Sequence, residues 1–342
     1  NAPVGKSAAF AYTTALNHLL ARDSRQKLLI GDATTVFWAA REEDSSMEQD
    51  FAAFFGEPPK DDPDRGVNAV AALFRAIEAG AYAVDADGRH FYVLGLAPNA
   101  SRIAVRFWIV DTVAGMACRV AQHFTDLRII HGPKEKNTLS LFQLLASIVI
   151  LGNGEKIPPN LAGDTMRAIL TGLPYPHTLL QAAVRRNRAE QGGTYARASL
   201  IKACINRSTR YSNNNIEEEL KMSLDPENAN IGYRLGRLFS VLEKIQGEAN
   251  PGINATIRDR YYGAASGTPV AVFGTLMKLK NHHMSKLENP GRRIYFERLI
   301  GEILNGICDF PAHLALDDQG RFAIGYYHQA QDFYTRKSDK TE

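Results

Sequence analysis

Three polar–proline pairs in the second half of the chain constrain its fold more than any other feature of the sequence. They are Asp225-Pro226, Thr268-Pro269 and Asn289-Pro290. In each pair the polar side chain can cap a helix, and proline suits the first turn because the amide it lacks would have no partner there. Apolar residues at helical spacing follow the first and last pairs: Ile231, Leu235, Leu238, Phe239, Leu242 and Ile245, then Ile294, Ile300, Ile303, Leu304 and Ile307. We therefore predict a helical bundle.

The stretch from His90 to Val110 predicts two strands joined by a turn near Pro98-Asn99. Strict alternation in the second strand would put Ile103, Val105, Phe107 and Ile109 on one face, and Arg102, Ala104, Arg106 and Trp108 on the other. The second face could bind a phosphate backbone through charge and ring stacking, or it could be an ordinary solvated face. Further strand is expected at 27–39, with a break at Gly31-Asp32, and near 81–84.

These patterns predict an α+β protein, in which a mixed region with a β-hairpin or small antiparallel sheet and helices precedes an all-α helical bundle. We divide the 342 residues into a body at 1–174, a basic helical connector at 175–215 and a bundle at 216–342. The segment 41–65 is strongly acidic and rich in proline, so we expect it to lie away from any nucleic-acid surface.

Positive charge is distributed unevenly along the chain. The formal net charge is only +3, yet residues 177–210 contain seven basic residues and a single acid, Glu190. Such a local excess is typical of a nucleic-acid footprint, and it is equally typical of two amphipathic helices with solvated faces. Both readings stay open at this point.

No catalytic or metal-binding pattern is found. The three cysteines lie far apart, which argues against a disulfide framework or a structural zinc site and fits a reducing cytoplasm. Cys204 is predicted to be a core residue. His282 and His283 are adjacent on a predicted helix and diverge by about 100°, so we expect no metal site there. We predict no enzyme activity, no metal, no cofactor and no membrane span.

We therefore predict a protein that binds nucleic-acid backbone. The candidate contact residues are Arg185, Arg186, Arg188, Arg197, Lys202, Arg207, Arg234, Arg237, Lys244, Arg258, Arg260, Lys278, Lys280, His282, Lys286, Arg292 and Arg293. Arg102, Arg106 and Trp108 are secondary candidates. Alanine at Arg234, Arg237, Lys278 and Arg292 is expected to weaken DNA binding without changing sequence preference.

Several stretches resemble one protein family. They are Asn1-Ala-Pro-Val4, 11–20 (AYTTALNHLL), 30–38 (IGDATTVFW), 94–106 (LGLAPNASRIAVR) and 325–334 (GYYHQAQDFY). The chain resembles the C-terminal part of the large subunit of the type I-C CRISPR Cascade complex, a Csd-type CRISPR-associated protein. The stretches correspond to the C-terminal part of such a subunit, so we expect its N-terminal half, where PAM reading is generally assigned, to lie outside this sequence.

The resemblance implies a non-catalytic subunit of an antiviral surveillance complex. Its expected partners are the displaced strand of the target DNA, the guide-RNA ribonucleoprotein, the Cascade backbone subunits and a helicase-nuclease. The bundle would resemble the Cascade small subunit and could also be made separately from an internal start, for which Met222 is the matching candidate. A scaffold that docks on guide RNA and neighbouring subunits without touching DNA is the alternative.

Overall fold

The computed structural model describes residues 4–31, 33–40, 45–56, 62, 64–80, 90–100, 102–213 and 215–334. The chain forms two compact units. Unit 1 comprises residues 1–125, 136–146 and 153–176, and unit 2 comprises residues 126–135, 147–152 and 177–342. The strand expected near 81–84 and much of the acidic segment 41–65 lie outside the described residues.

Unit 1 is organised around an antiparallel sheet. Its strands are β1 (Lys27–Ile30), β2 (Ala33–Ala39), β3 (His90–Asn99) and β4 (Arg102–Thr112), adjacent in that order. The helices of this part of the chain are α1 (Lys6–Leu20), α2 (Ser45–Phe55), α3 (Arg65–Glu78), α4 (Val113–Leu127), α5 (Leu141–Ser147) and α6 (Pro159–Thr171). Helix α2 covers one face of the sheet, where the Phe51 ring lies 4.6 Å from that of Phe37. Both expected strand pairs are confirmed.

The alternation predicted for β4 is wrong in the first half of the strand, before residue 106, because the strand contains a bulge there. Gly95 pairs with Phe107 and Leu96 pairs with Val105, so Arg106 is an extra residue of β4. Phe107 and Ile109 are buried as expected, whereas Ile103 and Val105 are each 62% exposed. The extra residue shifts the pairing by one, and a shift of one exchanges the two faces of a strand.

Unit 2 is helical. Its helices are α7 (His177–Ala189), α8 (Tyr195–Ser212), α9 (Ile231–Ala249), α10 (Ile257–Gly267), α11 (Pro269–Lys286), α12 (Pro290–Leu304) and α13 (Leu316–Asp332). Large side chains fill its core, among them Leu238, Phe239, Tyr262, Phe273, Phe296 and Phe322. The α+β prediction, with a small antiparallel sheet followed by a helical bundle, is confirmed. None of the described helices is long and apolar enough to cross a bilayer.

Two of the three predicted helix starts are confirmed. Helix α11 begins at Pro269 as predicted, but the Thr268 side chain makes no capping hydrogen bond. Helix α12 begins at Pro290 after Asn289, whose side chain accepts a hydrogen bond from the Gly291 amide at 2.8 Å. The start at Asp225-Pro226 is wrong. There Asp225 accepts from the Glu227 amide at 3.2 Å in a local turn, which an aspartate side chain supports as readily as a cap.

Helix α9 instead begins at Ile231, where the Asn230 side chain accepts from the Tyr233 amide at 3.1 Å. The apolar stripe predicted for α9 is buried apart from Ile231, which is half-buried. In α12 the prediction fails at Ile294, which is 71% exposed. The buried residues of α12 are Phe296, Ile300 and Ile303, and Ile294 lies about 200° from Phe296 around the helix.

Helices α9 and α13 approach so closely that glycine is required at their crossing. A Cβ atom at Gly236 would collide with the Phe322 carbonyl oxygen, and one at Gly325 would collide with the Tyr233 carbonyl oxygen. Backbone therefore packs directly on backbone, as small residues allow when they line a helix interface. Helix α13 also packs on α7 and α8, so it is enclosed within unit 2.

A buried histidine lies next to this crossing. His328 Nδ1 is 2.9 Å from the Tyr233 hydroxyl, which itself accepts from the Asp225 amide at 3.0 Å. The Tyr233 hydroxyl is thus placed to donate its hydrogen to Nδ1 of the neutral imidazole. Burial first, and the positive charge of Lys202 second, lower the pKa of His328 to about 3. The folded chain keeps this imidazole neutral.

We predict that Gly236→Ala lowers the free energy of unfolding by about 3 kcal/mol or prevents folding, because the new methyl group overpacks the crossing. Chemical denaturation followed by circular dichroism measures the change. Gly247→Ala, on the same helix with no atom within 4 Å of its added Cβ, is the matched control. It should be neutral or stabilising by up to about 1 kcal/mol. Equal effects of the two substitutions would contradict the close crossing.

We predict that stability falls as the pH is lowered from about 6.5 toward 3. An unfolded histidine has a pKa near 6.5, so in this window the unfolded chain binds a proton that folded His328 does not. Where the unfolded chain binds one more proton than the folded chain, the free energy of unfolding falls by about 1.4 kcal/mol for each unit that the pH is lowered. Relative to the parent chain, His328→Gln should flatten the pH dependence of unfolding, whereas the same change at exposed His313 should not. Identical pH profiles for the parent chain and His328→Gln would refute the buried neutral imidazole.

Candidate nucleic-acid interface

Several of the basic residues predicted from the 177–210 excess lie inside unit 2. Helix α8 is buried along most of its length, and Arg197, Lys202 and Arg207 are among its buried residues. Arg207 donates to Asp126 at 3.1 Å, and Lys202 donates to Glu218 at 2.6 Å. The Asp126 side chain is only 3% exposed. An unpaired charge in a protein interior is costly, and Arg207 and Lys202 avoid that cost by pairing with Asp126 and Glu218.

Two further buried arginines are satisfied within the unit. Arg197 pairs with Glu190 and donates to the Ser147 carbonyl at 3.0 Å. Arg237 donates to Gln329 Oε1 at 3.2 Å and to the Pro226 carbonyl at 3.3 Å, and burial lowers the pKa of its guanidinium. We therefore assign Arg197, Lys202, Arg207 and Arg237 to the packing of unit 2 instead of to its surface.

A second group of candidates reaches the surface but is paired there. Arg292 forms a two-point contact with Glu248 and lies over the rings of Tyr295 and Phe296. The others are Arg186 with Glu190, Arg258 with Glu243, Lys244 with Glu248, Lys280 with Glu297, and Arg234 with the Asn228 and Asn305 carbonyls. A phosphate would have to compete with these partners, and surface pairs of this kind are worth at most about 1 kcal/mol.

The remaining candidates of unit 2 are exposed. Helix α11 presents Lys278, His282 and Lys286 to solvent, and residues four apart share one side of a helix. Arg293 is exposed near the start of α12. We name these four residues the α11 strip. Within the described part of the chain no carboxylate pairs with any of them, so these side chains face solvent.

The second histidine of the pair on α11 points inward. His283 is buried, and its Nδ1 is 3.2 Å from the Asn250 side chain. Burial first, then the charges of His282 and Lys286, lower the pKa of His283. Lys286 donates to the same asparagine at 3.2 Å. His282 therefore belongs to the surface strip, and His283 belongs to the core.

A smaller set of exposed arginines lies on α7 and α10, which pack against each other. Arg185 and Arg188 are exposed on α7, and Arg260 is exposed on α10. The Arg188 guanidinium runs along α10, 3.2 Å from where a Cβ at Gly267 would be. The absence of a side chain at Gly267 gives this guanidinium its room. We name the three arginines the α7–α10 cluster.

A groove of about 740 Å³ opens in unit 2 beside the loop between α7 and α8. Its lining includes Lys244, Arg258 and the aromatic residues Tyr326, Tyr327, Phe333 and Tyr334. Glu243 also lines it, accepting from the Tyr326 hydroxyl at 2.6 Å and from the Thr256 hydroxyl at 3.1 Å. Each acid on the groove wall is thus already bonded within the protein, which makes the groove nearly neutral.

In unit 1 the secondary candidates are all exposed, but they do not share a face. Arg102 pairs with Asn99 across the hairpin, whereas Trp108 pairs with Leu94. Asn99 and Leu94 are an odd number of residues apart, so Arg102 and Trp108 lie on opposite sides of the sheet. Arg106 is the bulged residue between them.

Two aromatic residues that sequence reasoning missed lie beside Trp108. The ring of Trp108 is 5.5 Å from Trp38 and 5.9 Å from Tyr92. The three residues come from three different strands, so no local pattern brings them together. The signal that could have found them is the register of the sheet, which pairs Trp38 with Tyr92 directly.

The described residues contain no cluster of three or more His, Cys, Asp or Glu side chains placed to hold a metal ion. Cys204 is buried as expected, and burial raises the pKa of its thiol to about 12. A thiol held in this protonated form is a poor nucleophile. The exposed candidates described above are cations and aromatic rings.

Comparison with known proteins identifies the family. A family model described as CRISPR-associated protein (Cas_Csd1) matches residues 1–334. No curated protein matches the chain. Since the family match spans nearly the whole sequence, the chain belongs to the Cas_Csd1 family of CRISPR-associated proteins.

Proposed function

We propose that this chain is a non-catalytic subunit of a CRISPR RNA-guided surveillance complex of the Cascade type, which contacts the phosphates of the displaced DNA strand. Guide–target pairing reads the sequence in such complexes, and protein cations hold the strand that is left single. The family match supports the CRISPR context. The resemblance to the type I-C large subunit suggests the displaced strand as ligand.

The observation that carries the proposal is the α11 strip. Its four side chains are exposed, and no described carboxylate neutralises them. Side chains at residues 278 and 286 lie about 12 Å apart along the helix axis, given a rise of 1.5 Å per residue. A row of this length can follow a strand backbone, which is contacted through phosphates without reading bases. The α7–α10 cluster supplies further exposed guanidiniums in the same unit.

The remaining parts of the proposal follow from the resemblance. The partners would be the guide-RNA ribonucleoprotein, Cascade backbone subunits and a helicase-nuclease recruited to the R-loop, all in the cytoplasm. The proposed division is a body at 1–174, a connector at 175–215 and a bundle at 216–342. Separate synthesis of the bundle from Met222 belongs to the same proposal. Such a product would lack α7 and α8, which pack on α13 in this chain.

A scaffold without DNA contact is the second candidate. The groove of unit 2 favours it, since its acids and bases are balanced and its rings suit a protein segment as well as a base. The two candidates differ in salt dependence. Release of counterions makes phosphate binding fall steeply with salt, whereas docking through a nearly neutral groove does not.

We predict that Lys278→Ala combined with Lys286→Ala and Arg293→Ala weakens binding of single-stranded DNA by roughly ten- to a hundredfold at 0.1 M salt. The slope of log affinity against log salt concentration should become shallower by about 2, because each of the three lost phosphate contacts contributes roughly 0.7 to the slope on single-stranded DNA. Fluorescence anisotropy with labelled oligonucleotides of two unrelated sequences measures both quantities. The loss should be the same for the two sequences.

Arg298→Ala is the matched control, because Arg298 is an exposed arginine of α12 that already pairs with Glu302 at 3.6 Å. It should leave affinity and slope nearly unchanged. Unaltered affinity in the triple variant, or a salt slope close to zero in the parent chain, would reject phosphate binding by the α11 strip and support the scaffold.

A further inference from the structure

Three aromatic side chains form an open cluster on the sheet of unit 1. Trp38 on β2 stacks on Tyr92 on β3, with ring centroids 5.2 Å apart and planes 13° apart. Trp108 on β4 contacts both rings at 5.5 Å and 5.9 Å. We name Trp38, Tyr92 and Trp108 the aromatic platform.

The platform lies on the face of the sheet opposite the core of unit 1. The core face carries Phe37 and Phe91, which pack against Phe51 of α2. Trp38 is adjacent to Phe37 in β2, and Tyr92 is adjacent to Phe91 in β3, so their side chains point the other way. At this part of the sheet, α2 therefore covers one face and the three rings lie on the other.

The platform is open to solvent. Trp108 is 51% exposed, and Trp38 and Tyr92 are half-buried. Its neighbours on β4, Val105 and Val110, are also exposed. Single exposed apolar residues need no explanation, but a contiguous group with two indoles marks a binding surface.

Charge on the outer strands favours an anionic occupant. Strands β3 and β4 together contain Arg102, Arg106 and one acid, Asp111, which pairs with Arg119. Arg106, two residues from Trp108 on the edge strand β4, is exposed beside the platform, whereas Arg102 lies on the opposite face of the sheet. An acidic polymer with flat apolar groups fits aromatic rings that have a guanidinium at their border.

We propose that the aromatic platform stacks the bases of a single-stranded nucleic acid, with Arg106 of β4 near its backbone. The inference rests on the proposed function for the class of ligand and adds a second, base-stacking contact in unit 1, separate from the α11 strip. Every base has a ring face, so stacking tolerates any sequence and contributes about 1–3 kcal/mol per base. The same use of a four-stranded sheet with exposed rings is known for single-stranded RNA.

The chain offers a direct reporter, because Trp38 and Trp108 are its only two tryptophans. Oligo(dT) added to the full chain should quench tryptophan fluorescence with a saturable dependence. An abasic oligomer of the same length and charge should bind more weakly and quench little. Trp38→Phe leaves Trp108 as the sole reporter and should preserve the quenching. Binding of both oligomers with no quenching in the parent chain or in Trp38→Phe would overturn the inference.

Substitution separates stacking from charge. Trp108→Ala should weaken oligo(dT) binding roughly fivefold or more, the equivalent of one lost stack, and should leave the salt slope unchanged. Trp108→Phe keeps a ring and should recover most of the affinity, which a merely structural role for the indole would not require. Circular dichroism and thermal unfolding verify that both variants are folded. Full affinity in folded Trp108→Ala would refute the platform.

The two proposals fail in different ways. The triple variant of the α11 strip should bind weakly yet reach the same quenching at saturation. If that variant binds like the parent chain while oligo(dT) still quenches, the phosphate proposal fails and the platform stands. If the triple variant loses affinity but no oligomer quenches, the platform fails. Self-association of the parent chain that Trp108→Ala abolishes, without quenching by oligo(dT), would identify the platform as a protein-docking surface and overturn the inference.

Discussion

The direct packing of backbone on backbone between α9 and α13 is the constraint on which the rest of unit 2 depends. Gly236 and Gly325 allow it, since a Cβ atom at either position would collide with a backbone carbonyl oxygen of the other helix. So close an approach carries the polar residues of both helices into the interior. Arg237 and Gln329 must then bond to each other, and His328 must stay neutral against Tyr233. The polar groups in this core are a consequence of helix distance and are satisfied by the same two helices.

The same reasoning explains why the basic stretch at 177–210 is a poor guide to the surface. Helix α8 lies between other parts of unit 2, so a basic residue on any of its sides meets protein. Desolvation is tolerable there only with a partner, and Asp126, Glu218 and Glu190 supply the partners. A run of basic residues on a buried helix therefore indicates that acidic residues from other parts of the chain must pair with it. Such a run indicates a positively charged surface only where the helix has a solvent-exposed face, as α11 does.

The sequence could predict those features of the fold that depend on residues close together in the chain. A first-turn proline located α11 and α12, the latter with an Asn289 cap, and β-rich runs located the hairpins, because those signals act within a few residues. Asp225-Pro226 misled because aspartate and proline favour a turn as much as a helix start. The bulge at Arg106 and the meeting of Trp38, Tyr92 and Trp108 depend on pairing between strands far apart in sequence. The exposed strip on α11 was predictable from spacing, whereas the burial of Arg237 needed the α9–α13 crossing.

In the two proposals, the α11 strip and the aromatic platform would hold a single strand through forces that depend differently on conditions. Binding by the cations of the strip would weaken as salt rises, whereas stacking on the rings of the sheet would not. Neither reads base identity, since phosphates are uniform and every base has a ring face. For a strand whose sequence is already specified by its complement, tolerance of sequence is a requirement.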